Sequence, residues 1–215
     1  PRAARSVPKI GGTKDPDLAR LRALAPTHLV VNVDENRRED VDAARAFVPH
    51  VIVTHPGVPQ DNVRLCALFG HVFGRAAEAA ALAAGFADAL AATGAATRGL
   101  ARERVLYLIW RDPWMTVARG TYVSATLAHV GWDTLPAAST VRYPVVSGDD
   151  PAWAEAERIL LSTEPYAFRA RDADALLLRT GKPVHLVDGE WTSWYGARAG
   201  PGLTALAGLR GALAR

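Results

Sequence analysis

The stretch RVLYLIWRDPWMTVARGTYVSATLAHVG, residues 104–131, decides the fold class of this chain. It begins with an apolar run, residues 104–110, which is typical of a buried β-strand. Residues 121–131 have the composition of a helix, and Gly131 lies where a helix commonly ends. A strand that leads through a loop into a helix predicts an α/β fold with parallel strands.

The loop between this strand and this helix carries side chains that are costly when they face only water. Trp110, Arg111, Trp114 and Met115 lie at or just past the carboxyl end of the strand. In open α/β sheets, ligand sites form outside the carboxyl ends of the strands. We therefore expect these four residues to contact a ligand.

The composition excludes several classes of protein. The chain has 215 residues, enough for one large domain or two small lobes, and 49% of them are hydrophobic, so it can bury a core. The net charge is only +3 and no run of five basic residues occurs, which argues against nucleic-acid binding. Cys66 is the single cysteine, so no disulfide forms within one chain.

The first part of the chain alternates between predicted helices and strands. The pattern predicts a helix, a strand, a helix and a strand, at residues 15–24, 28–33, 36–47 and 50–55. Short connections between such elements favour parallel pairing of the strands. This part therefore predicts a doubly wound αβ lobe.

Residues 60–98 show no strand signal and predict one long helical region. Ala dominates, and Leu82, Phe86 and Leu90 recur at helical spacing. Such a helix would be about 50 Å long at about 1.5 Å per residue, longer than either half of the chain needs. We therefore expect it to run between two lobes. Its most apolar part, residues 76–97, is predicted to be too polar for a membrane span.

After this helix the alternation resumes. Strands are predicted at residues 104–110, 158–163 and 183–189, and the last helix is predicted from residue 193 to residue 214. The predicted fold is therefore α/β, with two Rossmann-like lobes joined by a long α-helix. The predicted segments are an N-terminal lobe, a linker helix and a C-terminal lobe, at residues 1–73, 74–100 and 101–215.

Four of the six tryptophans fall in two loops that follow predicted strands. They are Trp110, Trp114, Trp191 and Trp194. An indole offers a large flat apolar surface with one polar edge, which suits a broad ligand rich in rings. The alternative is a cluster that only plugs the end of the sheet. The other two, Trp132 and Trp153, lie outside these loops and are predicted to be packing residues.

Motifs for catalysis and metal binding are missing from the sequence. It has no HExxH and no GxSxG, and the Gly-rich segment IGGTKDPD (10–17) does not have the spacing of a phosphate-binding loop. The six histidines have no close cysteine partner, which favours structural or surface roles. We predict no catalytic residue, no protein-held metal and no covalent cofactor.

Several longer strings resemble one known family. PKIGGTKDPDLARLRALAPTHLVVNVDENRRE (8–39) is similar to the family's stretch in which a Gly-rich turn leads to a helix and a strand. VLYLIWRDPWMTVARGTYVSATL (105–127), LLSTEPYAF (160–168) and DGEWTSWYGAR (188–198) resemble its cobalamin-binding subgroup. The family is the class III substrate-binding proteins of ABC importers, whose subgroup is often termed helical-backbone metal receptors.

The resemblance implies a function in uptake. It implies a periplasmic protein that captures a metal chelate, foremost a cobalamin-type corrinoid, in a cleft between two lobes and passes it to ABC permease subunits. Membrane contact would occur only through the transporter. Apolar walls would come from the tryptophans, Met115 and Tyr195, and Arg111 would pair with amide or carboxylate edges. Asn36 and Lys14 would contribute from the opposite lobe.

The sequence departs from the family pattern in two places. Family members usually begin with a further strand–helix unit before the Gly-rich turn, and its apparent lack predicts a truncated N-terminal lobe. Members often carry one glutamate on each lobe to dock the permease. Glu164 matches the one on the C-terminal lobe, whereas Ala19 stands at the corresponding N-terminal position.

Three alternatives stay open from the sequence. The same fold would bind haem, with Tyr143 or Tyr195 as iron ligand, or a ferric siderophore, which needs cleft arginines such as Arg111 and Arg37. An α/β enzyme of chelatase or transferase type would use the Trp loops as a substrate platform, with Glu190 or Glu35 as its acid or base. The third alternative is a degenerate fragment that only partners another protein.

Overall fold

The computed structural model describes residues 5–214, and the contacts divide the chain into two compact units after His55. Unit 1 ends at His55 and unit 2 begins at Pro56. Unit 2 contains the long helical region as well as everything that follows it. The role of residues 74–100 as a linker between two lobes stays a prediction.

Unit 1 begins with a short hairpin and continues as an α-β-α-β segment. Its elements are β1 (Gly11–Gly12), β2 (Asp15–Pro16), α1 (Leu18–Ala23), β3 (His28–Asn32), α2 (Arg38–Arg45) and β4 (His50–Thr54). Asp17 caps α1, because its carboxylate accepts a hydrogen bond from the Arg20 amide at 2.9 Å. β3 and β4 pair in parallel, as predicted, with His28 opposite His50.

The core of unit 1 lies between this sheet and the two helices. Leu21 of α1, Ala44 of α2 and Val48 are buried together. On the strands, Val30 and Val53 remain exposed. Leu29 and Val51, which are opposite each other in the sheet, pack against this cluster.

Two helices, not one, form the helical region of unit 2. α3 (Asp61–Val72) and α4 (Ala76–Thr97) are separated by a turn at Gly74, whose φ of +64° is a left-handed conformation that glycine adopts readily. The prediction of one continuous helix from 60 to 98 was therefore wrong. The two helices pack on each other, and at Gly70 an added methyl group would collide with the Ala79 side chain.

The exclusion of a membrane span on composition was also wrong for α4. Among the described helices, α4 alone is long and apolar enough to cross a membrane when only its length and composition are considered. Such a single helix is weak evidence for a span. In unit 2, α4 packs against α3 and against the last helix, and Phe86 is buried there with Ala199 and Leu203.

The sheet of unit 2 is built around one long strand. β5 (Glu103–Trp110) pairs in parallel with β7 (Trp132–Thr134) and β8 (Arg158–Ser162), antiparallel with β6 (Met115–Thr116), and β8 pairs in parallel with β9 (Val184–Val187). The three strands predicted here are confirmed. The short strands β6 and β7 were not predicted, because two or three residues carry too little pattern.

The helices of unit 2 that follow the sheet strands are α5 (Tyr122–His129), α6 (Pro151–Glu155), α7 (Ala170–Thr180), α8 (Gly189–Ser193) and α9 (Ala199–Leu213). A 3-10 turn at Gly196–Arg198 precedes α9. The prediction of one last helix from residue 193 was wrong, because Tyr195 is extended and Gly196 has a φ of +76°.

Alternate residues of the central strands fill two cores, one on each face of the sheet. Leu106, Leu108 and Ile159 belong to one cluster, and Tyr107 and Leu160 belong to the other. Both faces are apolar because helices cover both, as expected for a parallel sheet. The other two tryptophans, Trp132 and Trp153, are buried in these clusters, which confirms their prediction as packing residues.

Candidate functional site: the loops after β5, β8 and β9

Three loops of unit 2 leave the sheet at the carboxyl ends of parallel strands. They follow β5, β8 and β9, which are neighbours in the sheet, so the loops emerge along one edge. The segments are residues 111–114, 163–169 and 188–198. These loops contain most of the residues predicted to bind a ligand.

The two tryptophans at the carboxyl end of β5 and in the loop after it have different environments. Trp110 is 40% exposed, and its ring meets Tyr166 edge-on at 5.7 Å between centroids. Trp114 is half-buried, because it stacks on Phe168 at 6.0 Å and meets Trp153 edge-on at 5.8 Å. Trp110 therefore exposes ring surface, whereas Trp114 mainly supports the loop.

Arg111 is held between two carboxylates. Its Nη1 donates to Oδ1 of the buried Asp172 at 3.0 Å, and its Nε lies 3.5 Å from Oδ2 of Asp112. The guanidinium carbon lies 5.7 Å from the Trp114 ring centroid. Because two acids already balance its charge, Arg111 is better suited to hydrogen bonding with a ligand edge than to neutralising an anion.

Met115 belongs to β6 and is half-buried. It pairs with Trp110 in the sheet and forms a bridge to Val145 on its other side. These two backbone pairings fix the position of the chain where the loop ends and β6 begins. The thioether remains a predicted ligand contact.

In the loop after β9, Trp194 is exposed and Trp191 is not. Trp194 is 45% exposed, and Arg198 lies over its ring at 5.3 Å while forming an ion pair with Glu190. Trp191 is half-buried and packs against the core cluster of Tyr107. A methyl group added at Gly202 would lie 2.9 Å from backbone atoms of Trp191, so the two backbones pack closely. Trp191 therefore anchors α8.

Glu164 joins the loop after β8 to the loop after β9. Its Oε1 accepts hydrogen bonds from the Ser193 hydroxyl at 2.9 Å and from the Trp194 indole nitrogen at 2.6 Å. The role of Glu164 in docking a permease stays a prediction. Its observed contacts show that it positions the indole of Trp194.

A buried tyrosine of β5, Tyr107, anchors α8 through a hydrogen bond. The hydroxyl of Tyr107 lies 2.7 Å from Oγ1 of Thr192, which donates to the Gly189 carbonyl at 3.0 Å. Complete burial raises the pKa of Tyr107 to about 12, because the phenolate would lose its hydration. Tyr107 is therefore a neutral hydrogen-bonding anchor at physiological pH.

Sequence reasoning missed Asn62, which organises the end of this loop. Asn62 is fully buried in the first turn of α3, and its Nδ2 donates to the Pro59 carbonyl and to the Tyr122 hydroxyl, both at 2.8 Å. Its Oδ1 accepts from the Gly196 amide at 2.6 Å. Tyr195 packs edge-on against Tyr122 at 5.8 Å. A lone Asn in a helical pattern gives no sequence signal for such a role.

Unit 1 contains the two remaining residues predicted to bind a ligand. Lys14 Nζ donates to the Asp34 carbonyl at 2.5 Å. Asn36 Nδ2 donates to the Thr13 carbonyl at 3.0 Å, and its Oδ1 accepts from the Asn32 amide at 2.9 Å. Both side chains tie the Gly-rich turn to the loop after β3. Their assignment as ligand contacts stays a prediction.

The comparison with protein families identifies the chain. A model described as "Periplasmic binding protein" matches residues 1–180. The chain belongs to this family. The resemblance to class III substrate-binding proteins and the α/β fold are thereby confirmed. The family consists of binding proteins rather than enzymes.

Solved structures of the family share the fold at low sequence identity. The haem-binding protein RhuT from Roseiflexus sp. RS-1 is 22% identical, with a TM-score of 0.82 over 100% of this chain and 87% of that one. The vitamin B12-binding protein BtuF of Vibrio cholerae is 16% identical, with a TM-score of 0.76 over 98% and 85%. A haem-binding protein from Pseudomonas aeruginosa is 18% identical, with a TM-score of 0.79 over 100% and 82%.

These similarities establish the fold, and they include binders of two kinds of chelate. A comparison with curated proteins finds no match. Within residues 5–214, no group of three or more His, Cys, Asp and Glu side chains is placed to hold a metal ion. Tyr143, one of the candidate haem ligands, is half-buried and packs against the core cluster of Tyr107.

Proposed function

We propose that this member of the family is the substrate-binding component of an ABC-type importer, located in the periplasm, and that it binds a metal chelate of the cobalamin type. The observation that carries the proposal is the pair of exposed indoles, Trp110 and Trp194, on loops that leave the same edge of one sheet. Large flat apolar rings at a sheet edge suit a broad macrocycle.

The charges around these indoles favour a corrinoid over an anionic chelate. Arg111 already lies between Asp112 and Asp172, and Arg198 is paired with Glu190. A ligand with two carboxylates, such as haem, or a negatively charged siderophore would have to compete with these acids. A corrinoid presents mostly neutral amide edges, which can accept from a guanidinium without displacing its partners.

Haem remains the second candidate because of the tyrosines beside the indoles. Tyr195 is half-buried next to Trp194, and a phenolate oxygen is a known type of haem iron ligand. Solved relatives described as haem-binding proteins share the fold. If Tyr195 bound the iron of haemin, this bond would offset the preference for a corrinoid over haem that the paired arginines predict.

The enzyme alternative receives less support from the site. Glu190, the proposed acid or base, is paired with Arg198. Glu35 accepts a hydrogen bond from the Thr13 hydroxyl at 3.3 Å. A binding role therefore accounts better for the two residues.

The proposal is tested by offering three chelates to the same purified protein. Cyanocobalamin, haemin and a ferric siderophore are each titrated by equilibrium dialysis, because all three absorb near the tryptophan emission and distort quenching experiments. We expect saturable binding of cyanocobalamin, with haemin at least tenfold weaker. Tight binding of haemin alone would transfer the proposal to haem, and no saturable binding of any chelate would reject it.

A further inference from the structure

Unit 1 contains a cavity that is enclosed by its Gly-rich turn, its two helices and its sheet. The cavity has a volume of about 220 Å³. Most of its wall is apolar, and the side chains come from α1, β3 and α2: Leu21, Leu29, Val41 and Ala44 are examples. Gly11, Gly12 and Val30 also line the cavity, and all three are exposed. A small molecule can therefore enter the cavity from solvent.

One carboxylate oxygen at this cavity lacks a hydrogen-bond donor. Asp40 lies in the first turn of α2 and lines the cavity. Its Oδ2 is buried, and within residues 5–214 this atom has no hydrogen-bond partner. Burying a charged oxygen without a donor is costly, and the large majority of buried polar atoms in folded proteins are paired. This oxygen therefore marks a position where a donor from outside the chain would be stabilised.

The other polar side chains of the wall do not compensate Asp40. The Asn36 amide donates to the Thr13 carbonyl at 3.0 Å and accepts from the Asn32 amide at 2.9 Å. The Thr13 hydroxyl donates to Glu35 at 3.3 Å. Among the described residues that line the cavity, none is Lys, Arg or His. The cavity therefore combines an apolar wall with one acidic group that no cation of the wall balances.

We propose that this cavity binds a small primary amine, whose ammonium group donates to Oδ2 of Asp40 while its hydrocarbon part contacts the apolar wall. An ammonium group has three N–H donors, and its hydrogen bond to a carboxylate is charge-assisted. An apolar cavity of about 150 Å³ holds one benzene molecule. The cavity of unit 1, at about 220 Å³, has room for a ring with a short aminoalkyl group.

The charge of Asp40 selects against other classes of small molecule. An anionic ligand of the same size would be repelled by the carboxylate. A purely apolar ligand would fill the cavity but leave Oδ2 without a donor, which costs the desolvation of that oxygen. The site therefore distinguishes an amine from a neutral molecule of the same shape.

The amine site does not depend on the proposed chelate-binding function. All residues that line the cavity belong to unit 1, whereas Trp110 and Trp194 belong to unit 2. Asn36 lines the cavity and is also a predicted chelate contact, but the ammonium group is bound by Asp40, which is not. The titration of the amine contains no chelate, so this proposal and the proposed function fail separately.

Benzylamine is the probe, and its binding to the ¹⁵N-labelled full chain is followed by nuclear magnetic resonance at neutral pH, where the amine is protonated. We expect saturable shifts in the amide signals of Gly11, Gly12 and Ala44, all of which line the cavity. Benzyl alcohol has nearly the same shape without the positive charge, and it should bind at least tenfold more weakly. This comparison uses the unaltered protein, so no change in folding affects it.

Two variants test the role of the carboxylate. Asp40→Asn keeps the shape of the side chain and removes its charge, and it should bind benzylamine at least tenfold more weakly. Asp42→Asn is the matched control, because it removes one acid from the same helix at an exposed position near Arg38 and Arg45. This control should bind benzylamine as the unaltered protein does, and circular dichroism checks that both variants are folded.

Three results would overturn the proposal of an amine site. The first is no saturation in the unaltered protein up to about 10 mM benzylamine, or shifts confined to residues away from the cavity. The second is equal affinity for benzyl alcohol and benzylamine. The third is unchanged affinity for benzylamine in folded Asp40→Asn.

Discussion

The indole nitrogen of Trp194 donates a hydrogen bond to Oε1 of Glu164 at 2.6 Å, across 30 residues of sequence. The same oxygen accepts from Ser193, so one carboxylate joins the loop after β8 to the loop after β9. An exposed indole in a mobile loop would lose entropy on binding a ligand, and this bond fixes its edge in advance. Glu164 therefore fixes the orientation of Trp194, which under the proposed function prepares the indole for contact with a flat ligand.

Replacing Glu164 with Ala should weaken ligand binding without unfolding the protein. The variant leaves Trp194 and Ser193 without their acceptor, which we expect to cost about 1 kcal/mol of binding, or about fivefold in affinity. Glu164→Gln keeps an oxygen acceptor and should lose less. Equilibrium dialysis with cyanocobalamin measures both, and equal affinity in Glu164→Ala and the unaltered protein would show that the bond does not prepare the site.

Gly189→Ala should destabilise unit 2. A methyl group at this position would lie 2.6 Å from the Ser162 hydroxyl oxygen and would also collide with the Glu164 side chain. Overpacking of this kind costs about 1–3 kcal/mol in free energy of unfolding, which urea denaturation measures.

Gly208→Ala serves as the control for this substitution. Gly208 lies in α9, and nothing stands within 4 Å of the position of an added methyl group. Alanine favours a helix over glycine by about 0.5–1 kcal/mol, so this variant should be slightly more stable. A Gly189→Ala protein as stable as Gly208→Ala would contradict the close packing between α8 and Glu164.

Tyr107→Phe should change how stability depends on alkaline pH. The folded state holds the pKa of Tyr107 at about 12, above its ordinary value of 10.0, because burial disfavours the phenolate. The unfolded chain therefore releases this proton first, so the neutral phenol's contribution is complete below pH 10 and is lost as pH rises through 12. The loss should approach about 3 kcal/mol above pH 12, and it should be absent from the Phe variant.

Urea denaturation at pH 8.5 and pH 11 measures this difference. At pH 8.5 the Phe variant should be about 1 kcal/mol less stable, because the hydrogen bond to Thr192 is gone. Between the two pH values, the unaltered protein should lose more stability than the variant. Parallel losses in the two proteins would show that Tyr107 does not titrate in this range.

Asn62→Ala should lower stability by about 2–3 kcal/mol, because it removes a fully buried amide and leaves the Gly196 amide and the Tyr122 hydroxyl without it. Asn62→Asp retains an acceptor for Gly196 but loses both donors, and it should fall at least as far since it buries a charge. Thermal unfolding followed by circular dichroism compares them. Stability unchanged in Asn62→Ala would remove this residue from the support of the Tyr195 loop.

The strands and the family could be predicted because apolar runs and long sequence strings carry that information. β5 follows from VLYLIW alone, since a run of this kind is buried on both faces of a parallel sheet. The break at Gly74 could not be predicted from composition, because glycine within an Ala-rich stretch is tolerated as often as it ends a helix. Which of these glycines adopts the left-handed backbone is decided by the packing of α3 on α4.

The sequence predicted where the tryptophans lie along the chain, but it did not predict their environments. The pattern placed the tryptophans in loops, yet Trp114 stacks on Phe168 and Trp191 packs on the core, while Trp110 and Trp194 stay exposed. Which indole is buried depends on residues distant in sequence. The same applies to Asn62, whose partners lie 60 and 134 residues away.

The central claim is that the exposed rings of Trp110 and Trp194 bind a corrinoid. Equilibrium dialysis of cyanocobalamin against the unaltered protein and against the Trp110→Ala/Trp194→Ala double variant tests it most directly, with the exposed Leu178→Ala as control. The account predicts saturable binding in the unaltered protein and the control, and at least tenfold weaker binding in the folded double variant. Equal affinity in all three proteins, or no saturable binding in any, would contradict it.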